Sequence, residues 1–592
     1  MPTRSTLVDR RVLWVSFHAV WLAVVTAFVA QGLTWLIGLI TNLSFYGRWS
    51  SEFVSPAHHQ LGLWVIVVPA LGGIVVGLMA RYGSQAIRGH GIPEAMEQIL
   101  TNDSRIPIRM TFLKPLSAAI AIGSGGPFGA EGPIIATGGA MGSVLGQVLK
   151  VTPAERKSLL AAGAAAGMAA IFNAPIASVL LAIELLLFEF RPRSLIPVSL
   201  AVIVSTMCRR LLAGESVVFV APAIPQPSAD SLIWYLLIGA IVGVASVGIT
   251  RLVYAIEDAF AHLPIHWMWW PALGGLCVGL IGYGWPDTLG VGYTNIEHMV
   301  RADWGMQTVV ALMLAKLASW AIALGSGTSG GTLAPLFTIG GCLGAVIGWL
   351  LQALIPHAHI HPGVAAMVGM AAMFAGASRA VLTSIVFVFE TTGQSGALLP
   401  LMGGCMVAYL LSCLSMRTTI MTEKIARRGV KVPDEYEADP LEHILVSEAC
   451  THPAHCLDSE EIAATAMHWL KGYEAQSHHQ NFPIQQGSDR IIGVVSRQTI
   501  LTAGEATPTQ VLGALPMRAA VLIRPRQSLR DAIHLLATTA APCLVVADAS
   551  LSQPGILTRA DIVRAQMHHA RKATAAPERL WRPSWKNTSE SP

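Results

Sequence analysis

Residues 121–146, AIGSGGPFGAEGPIIATGGAMGSVLG, recur without a gap at 323–348 as ALGSGTSGGTLAPLFTIGGCLGAVIG, with 11 of 26 positions identical. The offset is 202. It still holds where GMAAIF at 167–172 meets GMAAMF at 369–374, so the stretch from about 121 to 374 reads as two copies of one design. In an apolar chain, duplicated Gly-rich turns that open onto helices build an ion site where the repeats meet.

Composition places that site in a bilayer. With 53% hydrophobic residues, 12% charged residues and a mean hydropathy of +0.54, the 592-residue chain lies outside the range of a soluble domain. No Asp, Glu, Lys or Arg occurs from Val12 to Tyr46 or from Leu317 to Ser378, lengths that cover one and several crossings. Other apolar segments, such as Ser194 to Cys208, are awkward lengths for a clean span, and Gly or Pro interrupts many. These imply short, tilted or broken helices packed in protein, because irregular backbone cannot face lipid. All but 6 of the 55 glycines precede residue 430, where they serve helix packing and turns.

Arg4, Arg10 and Arg11 flank the first apolar segment and Lys424, Arg427 and Arg428 the last, which puts both termini on the cytoplasmic side of the cell membrane. The first apolar stretch is much longer than a signal-peptide core and reads as a retained span. Eight cysteines without a CxxC pair argue against a disulfide framework or a zinc site, and no metal is expected. A net charge of +4 is too small to argue for nucleic acid.

Hydropathy collapses after about residue 430. Within the polar region that follows, NFPIQQGSDRIIGVVSRQTILTA and APCLVVADASLSQPGILTRADIVRA each read as strand, turn, strand, helix. The two halves resemble cystathionine-synthase-type (CBS) modules, expected over 441–505 and 506–570, with a tail at 571–592 rich in Pro, Ser, Lys and Arg and expected to be disordered. That family uses a G-x-x-[ST]-x-x-D turn to present a hydroxyl and a carboxylate to the ribose of an adenine nucleotide. The second half has it as Gly555, Thr558 and Asp561; the first has Gly493 and Ser496 but Thr499 in place of the acid. A purely structural pair that assists assembly is the competing reading.

Glu131 is the most informative single residue, because it interrupts an otherwise uncharged run from Pro115 to Leu149. An ionisable group there costs about 2.5–3.5 kcal/mol on insertion scales and needs a protein partner or a water-filled site. GGPFGAEGP supplies one: glycines free the backbone amides and Pro133 suits the first turn of the helix that follows. Such a helix start offers unpaired amides and about half a positive charge, and so binds anions. A carboxylate beside it competes with a permeating anion, and protonation releases it. The second copy has Leu333 at the equivalent position yet keeps Gly331 and Pro335, so the turn does not need the acid.

A third segment, GHGIPEAMEQIL at 89–100, also opens onto a helix. GHGIPE, GAEGP and GGTLAP are similar, in order, to the three signature segments of the CLC chloride channel and transporter family, commonly written GSGIP, G[KR]EGP and GxFxP. FNAPIASVLLAIE at 172–184 and TIMTEKIARRG at 419–429 resemble later segments, so the likeness covers about 12–430. The resemblance implies an all-α polytopic domain at 1–430 built from inverted halves, with repeat-related segments about 121–190 and 323–395, followed by a cytoplasmic α/β CBS pair. It implies a homodimer in the lipid bilayer with one anion pathway per subunit, no required cofactor, no enzymatic activity and chloride or another small anion as cargo. Glu131 matches the gating glutamate. His90, Gly91, Ile92, Gly129, Ala130, Gly132, Gly331, Thr332, Leu333, Ala334 and Met421 match the anion-binding positions. Lys114 matches a lysine whose charge favours anions, against the alternative of a lysine that snorkels to the interface.

Departures from the family pattern bear on mechanism. His90 stands where a serine usually contacts the central anion, and its imidazole adds a pH-dependent charge. Met421 replaces a tyrosine and, as a thioether, cannot donate a hydrogen bond. Leu333 replaces the phenylalanine of GxFxP, and Ala130 the basic residue before the gate. On the proton path, coupled members usually carry a second acid immediately after the one matching Glu184, where this chain has Leu185. These departures favour a passive, channel-like chloride permease over a proton-coupled Cl⁻/H⁺ antiporter, with a fluoride-handling variant or a membrane-anchored nucleotide sensor as lesser alternatives. Glu184 itself is expected to be structural, since Glu390 closes the analogous helix of the second half. The histidines of PHAHIHP at 356–362 read as an exposed connector, and Glu94 and Glu97 as a capping or solvated face.

Overall fold

The computed structural model describes residues 10–214, 217–220, 227–430, 432–433, 441, 444–472, 479–487, 490–547 and 553–574. The chain divides into two compact units, 1–436 and 437–592.

Two series of eight helices build most of the first unit. The first series is α1 (Arg10–Thr41), α2 (Val67–Tyr82), α3 (Ile92–Thr101), α4 (Met110–Gly123), α5 (Glu131–Val148), α6 (Pro153–Phe172), α7 (Pro175–Leu181) and α8 (Pro192–Ala213). The second is α9 (Leu232–Ala261), α10 (Trp270–Gly284), α11 (Tyr293–Arg301), α12 (Met306–Gly325), α13 (Leu333–Leu354), α14 (Pro362–Ser378), α15 (Val381–Thr392) and α16 (Leu398–Ser415), followed by the short α17 (Glu423–Arg427). Packing repeats with the series: α5 lies along α6 as α13 lies along α14, and α1 packs on α8 as α9 packs on α16. The duplication therefore extends well beyond the 121–374 window visible as sequence identity.

Equivalent helices α2 and α10 cross antiparallel, as inverted halves require. A Cβ on Gly73 would stand 2.2 Å from the Pro271 carbonyl oxygen, and one on Gly275 would stand 2.3 Å from that of Pro69, the same contact at the offset of 202. Only glycine permits so close a backbone approach, the packing device of membrane helices.

Among the described residues, seven helical segments are long and apolar enough to cross a membrane, and four shorter apolar helices accompany them. The segment Ser194 to Cys208 corrects the sequence reading: it lies inside α8, which at 22 residues is a full span. Breaks occur where expected in kind, with π-turns at Asn42–Tyr46 and Ala182–Leu187. The second break carries Glu184. Its Oε1 accepts from the Leu382 amide at 3.0 Å and its Oε2 from the Thr383 amide at 2.9 Å, so it caps α15. Glu390, at the end of α15, returns the same pair of bonds to the amides of Ile176 (3.0 Å) and Ala177 (2.9 Å) at the start of α7. Each half closes a helix of the other with a carboxylate at its positive end.

The second unit holds two three-stranded sheets of matching topology. In the first, β1 (Leu457–Asp458) runs parallel to β2 (Asn481–Gln486), which pairs antiparallel with β3 (Arg490–Ser496). In the second, β4 (Leu522–Ile523) runs parallel to β5 (Cys543–Val546), which pairs antiparallel with β6 (Gly555–Thr558). Helices Ala463–Leu470 and Arg497–Ala506 belong to the first half, and Leu529–Thr539 and Arg559–Thr574 to the second. Apolar side chains of strands and helices form a separate core in each half, including Phe482 and Ile500 in one and Leu544 and Leu557 in the other. The last helix runs to Thr574, so the start of the segment expected to be disordered is helical; 575–592 lie outside the described residues.

Candidate functional site

Three helices begin at one place, and glycine lets them. The turn before α13 is bridged to the other two turns: Gly331 donates to the Gly129 oxygen at 2.9 Å and Gly129 returns a bond to Gly331 at 3.3 Å, while Gly89 donates to the Thr328 oxygen at 3.3 Å. A Cβ on Gly132 would lie 1.9 Å from the His90 oxygen. Gly91, with φ of 95°, adopts a conformation that favours glycine and starts α3 at Ile92. The first turns of α3, α5 and α13 thus converge with their unpaired amides, an arrangement that attracts negative charge.

Glu131 occupies that convergence. It is 1% exposed, and neither carboxylate oxygen has a hydrogen-bond partner. The amides of Glu131 and Ala334 act on the carboxylate without completing a hydrogen bond to it. The carboxylate presses on the bridge: a Cβ on Gly129 would stand 1.7 Å from Oε2, and one on Gly331 2.6 Å. Other buried, unpartnered polar atoms are Nδ1 of His90 and Oγ1 of Thr332. Ala130, Leu333 and Ala334 are buried around them.

A sequence profile described as "Voltage gated chloride channel" matches residues 71–413. The chain belongs to the CLC family. A putative chloride channel protein ClcB-like of Ralstonia nicotianae is 31% identical over 366 residues, covering 61% of this chain and 85% of that one. An H(+)/Cl(-) exchange transporter ClcA of Vibrio vulnificus is 32% identical over 396 residues, covering 62% and 82%. The solved structure of a slow cyanobacterial Cl⁻/H⁺ antiporter superimposes with a TM-score of 0.64 at 23% identity, over 71% of this chain and 98% of that one, a likeness of fold.

Of the residues singled out by CLC-like sequence, His90, Gly91, Ile92, Gly129 to Gly132 and Gly331 to Ala334 are brought together. Met421 is fully buried in the turn before α17; its neighbour Ile420, rather than Met421 itself, lines with His90 a cavity of about 530 Å³. Lys114 does not snorkel. It is 1% exposed, and its Nζ donates to the carbonyls of Ile87 and Gly89, each at 2.8 Å, which fixes the loop that carries His90. Glu94 caps α3 by accepting from the Gly91 amide at 2.7 Å, and Glu97 pairs with Arg428 at 2.5 Å. Glu184 and Leu185 stand apart, on a cavity of about 280 Å³ shared with Arg379 and Tyr409.

In the second unit, Thr558 and Asp561 line a cavity of about 580 Å³ with Arg518, Arg559 and Arg564. They also cap the last helix reciprocally: Thr558 donates through N and Oγ1 to Asp561 Oδ2 at 2.9 and 2.6 Å. Ser496 keeps half of this cap, accepting from the Thr499 amide at 3.1 Å.

Two functional neighbours escaped the sequence reading. Lys316, fully buried, donates to the carbonyls of Thr288 (2.9 Å) and Gly290 (3.0 Å) and is the cation whose charge reaches Glu131. It is Lys114 carried forward by 202, so the offset itself was the signal. Tyr293, at the start of α11, has a buried, unpartnered hydroxyl. GVGY at 290–293 follows GHGI at 89–92 by 201 rather than 202, and that slip hid it from a gapless comparison.

Proposed function

We propose that the chain is a chloride permease whose pathway runs through the convergence of α3, α5 and α13, with Glu131 as its gate. The observation that carries this reading is a buried, unpartnered carboxylate lying where three helix starts attract an anion. An ionised side chain and a permeating anion compete for that position. Protonation neutralises Glu131 and frees the amides, so conduction rises as pH falls. His90, Gly91, Ile92, Gly129, Ala130, Gly132, Thr332, Leu333 and Ala334 line the anion position, mainly through backbone, and Met421 supports it from behind. Lys114 raises the potential on the His90 side. Anion flux from liposomes, with Glu131→Gln beside the wild type, tests the gate; equal flux and equal pH response would refute it.

We infer passive conduction from the inner carboxylate. Both oxygens of Glu184 are engaged by the amides of Leu382 and Thr383, and the next residue is the buried Leu185, so neither position offers a free acid to pass a proton. Exchange is the second reading, favoured by relatives at 32% identity that are named H(+)/Cl(-) exchange transporters. A proton gradient imposed without a chloride gradient separates them: net chloride uptake means exchange, and its absence means a channel.

The second unit is proposed to be a cytoplasmic CBS pair over 441–570. Its 580 Å³ cavity has the size of a ligand pocket, and three arginines around Asp561 and the Thr558 hydroxyl suit the phosphates and ribose of an adenine nucleotide. Calorimetry on the full chain, with Asp561→Ala as the control, tests it. A homodimer and cytoplasmic termini in the cell membrane complete the proposal, with single-cysteine crosslinking and labelling as their checks.

A further inference from the structure

The cavity that leads to His90 contains a cation with no ion-pair or hydrogen-bond partner among the described residues. Its wall carries four basic side chains, and three are neutralised: Lys424 pairs with Glu94 at 3.3 Å, Arg427 with Asp258 at 2.6 Å and Arg428 with Glu97 at 2.5 Å. The fourth, Arg88, makes no ion pair and no side-chain hydrogen bond, and its buried Nε is unpartnered. Glu257, on the same wall, is the acid whose charge reaches it, from beyond salt-bridge distance.

Arg88 is nevertheless held in place. Its guanidinium lies 4.9 Å from the Trp267 ring centroid and 5.4 Å from that of Trp270. It also lies against the second repeat's turn, where a Cβ on Gly327 would come within 2.5 Å of Nη2. The cation is thus fixed by two aromatic faces and a glycine, which occupy its flanks without satisfying its donors. Two residues farther along, His90 is 6% exposed, lines the same cavity and has its own unpartnered Nδ1.

We propose that Arg88 and His90 form an anion-binding site at the α17 mouth of the pathway, where a small monovalent anion is held by the guanidinium before it reaches the helix starts. Arg88 supplies fixed charge and a fork of donors, and His90 a nitrogen at the inner end. The site rests on the permease reading above and adds to it a residue that concentrates anions on one face only.

The test is one-sided. Full-length protein in a planar bilayer is given increasing chloride on the α17 face, identified as the face from which protease removes the C-terminal unit, and then on the opposite face. Arg88→Gln should raise the half-saturating chloride on the α17 face about tenfold or more, as expected for loss of a hydrogen bond between charged groups. The half-saturating value on the opposite face should not move. Arg88→Lys, which keeps the charge but loses the fork, should fall between wild type and Gln, and it carries the test if the Gln variant does not fold. An unchanged half-saturation on the α17 face, or an equal change on both faces, would overturn the site. Absence of chloride current in the wild type would instead refute the permease reading.

Discussion

The turn before α5 and the turn before α13 are the same structure with one difference. Both keep the glycine that forms the bridge between Gly129 and Gly331 and the proline of the first helical turn, but one places Glu131 over the bridge and the other Leu333. Each half also holds a buried lysine, Lys114 or Lys316, on two backbone carbonyls of the loop before its short helix. On the proposed reading, a site assembled from repeats separates two properties: what binds the anion is duplicated, and what gates it occurs once.

Breaking the difference should have the largest effect. Glu131→Gln removes the unpartnered acid at the convergence and should raise chloride flux about tenfold at a pH one unit above the gate's midpoint, with a flat pH profile. Liposome efflux measured across pH decides this. The reciprocal experiment moves the gate: Leu333→Glu in the Glu131→Gln background should restore a pH-dependent block, with flux again rising as pH falls. A flat profile would mean that the two turns are not interchangeable.

The lysines sharpen the comparison next. Lys316→Met leaves two buried carbonyls without a donor and Lys114→Met one, because Gly89 also accepts from the Gly330 amide at 3.4 Å, and each orphaned carbonyl should destabilise the protein by about 1–3 kcal/mol, read as earlier thermal unfolding in detergent. Their effects on the gate should differ. Lys316→Met removes a positive charge that favours ionised Glu131, so the carboxyl takes up its proton more readily and the flux midpoint moves to higher pH. Lys114→Met, on the His90 side, should weaken anion binding and leave the midpoint in place.

The smallest effects belong to the reciprocal caps. Glu184→Gln and Glu390→Gln should each lose about 0.5–2 kcal/mol of stability, the former more, because Glu184 also accepts from the Thr383 hydroxyl at 2.6 Å and Glu390 has no such third bond. Under passive conduction neither should change the pH dependence of flux, and a change confined to Glu184→Gln would favour the exchange reading.

The sequence made the scaffold legible because its requirements are written in residue types. A bridge between backbones needs glycine, a helix start tolerates proline, and an acid in an uncharged run announces its own expense. Such signals located α3, α5, α13 and Glu131 and identified β2, β3, β5 and β6 of the second unit, whereas the two-residue β1 and β4 were not read. Other features depend on what lies across a packing surface. The cap from Glu184 to α15 joins residues almost two hundred positions apart, and nothing local to Glu184 specifies it. Arg88 carries no local signal beside GHGIP, because its setting is made by Trp267, Trp270 and Gly327, far off in the chain. Lys114 was ambiguous between field and interface for the same reason, since only the positions of Ile87 and Gly89 show what its ammonium touches. The length of α8 was misread because the uncharged stretch from Ser194 to Cys208 is short, whereas the helix takes in the arginines on both sides of it.

The claim that the duplicated turns bind the anion and Glu131 displaces it is tested most directly by locating the ion. Bromide, distinguished by anomalous scattering, should appear beside the amides that follow Gly129 and Gly331 in Glu131→Gln, at the position the wild-type carboxylate holds. The same peak should be weak or absent in the wild type at a pH where Glu131 is ionised. Bromide bound elsewhere in the membrane unit, with none at the three helix starts in either protein, would contradict the account.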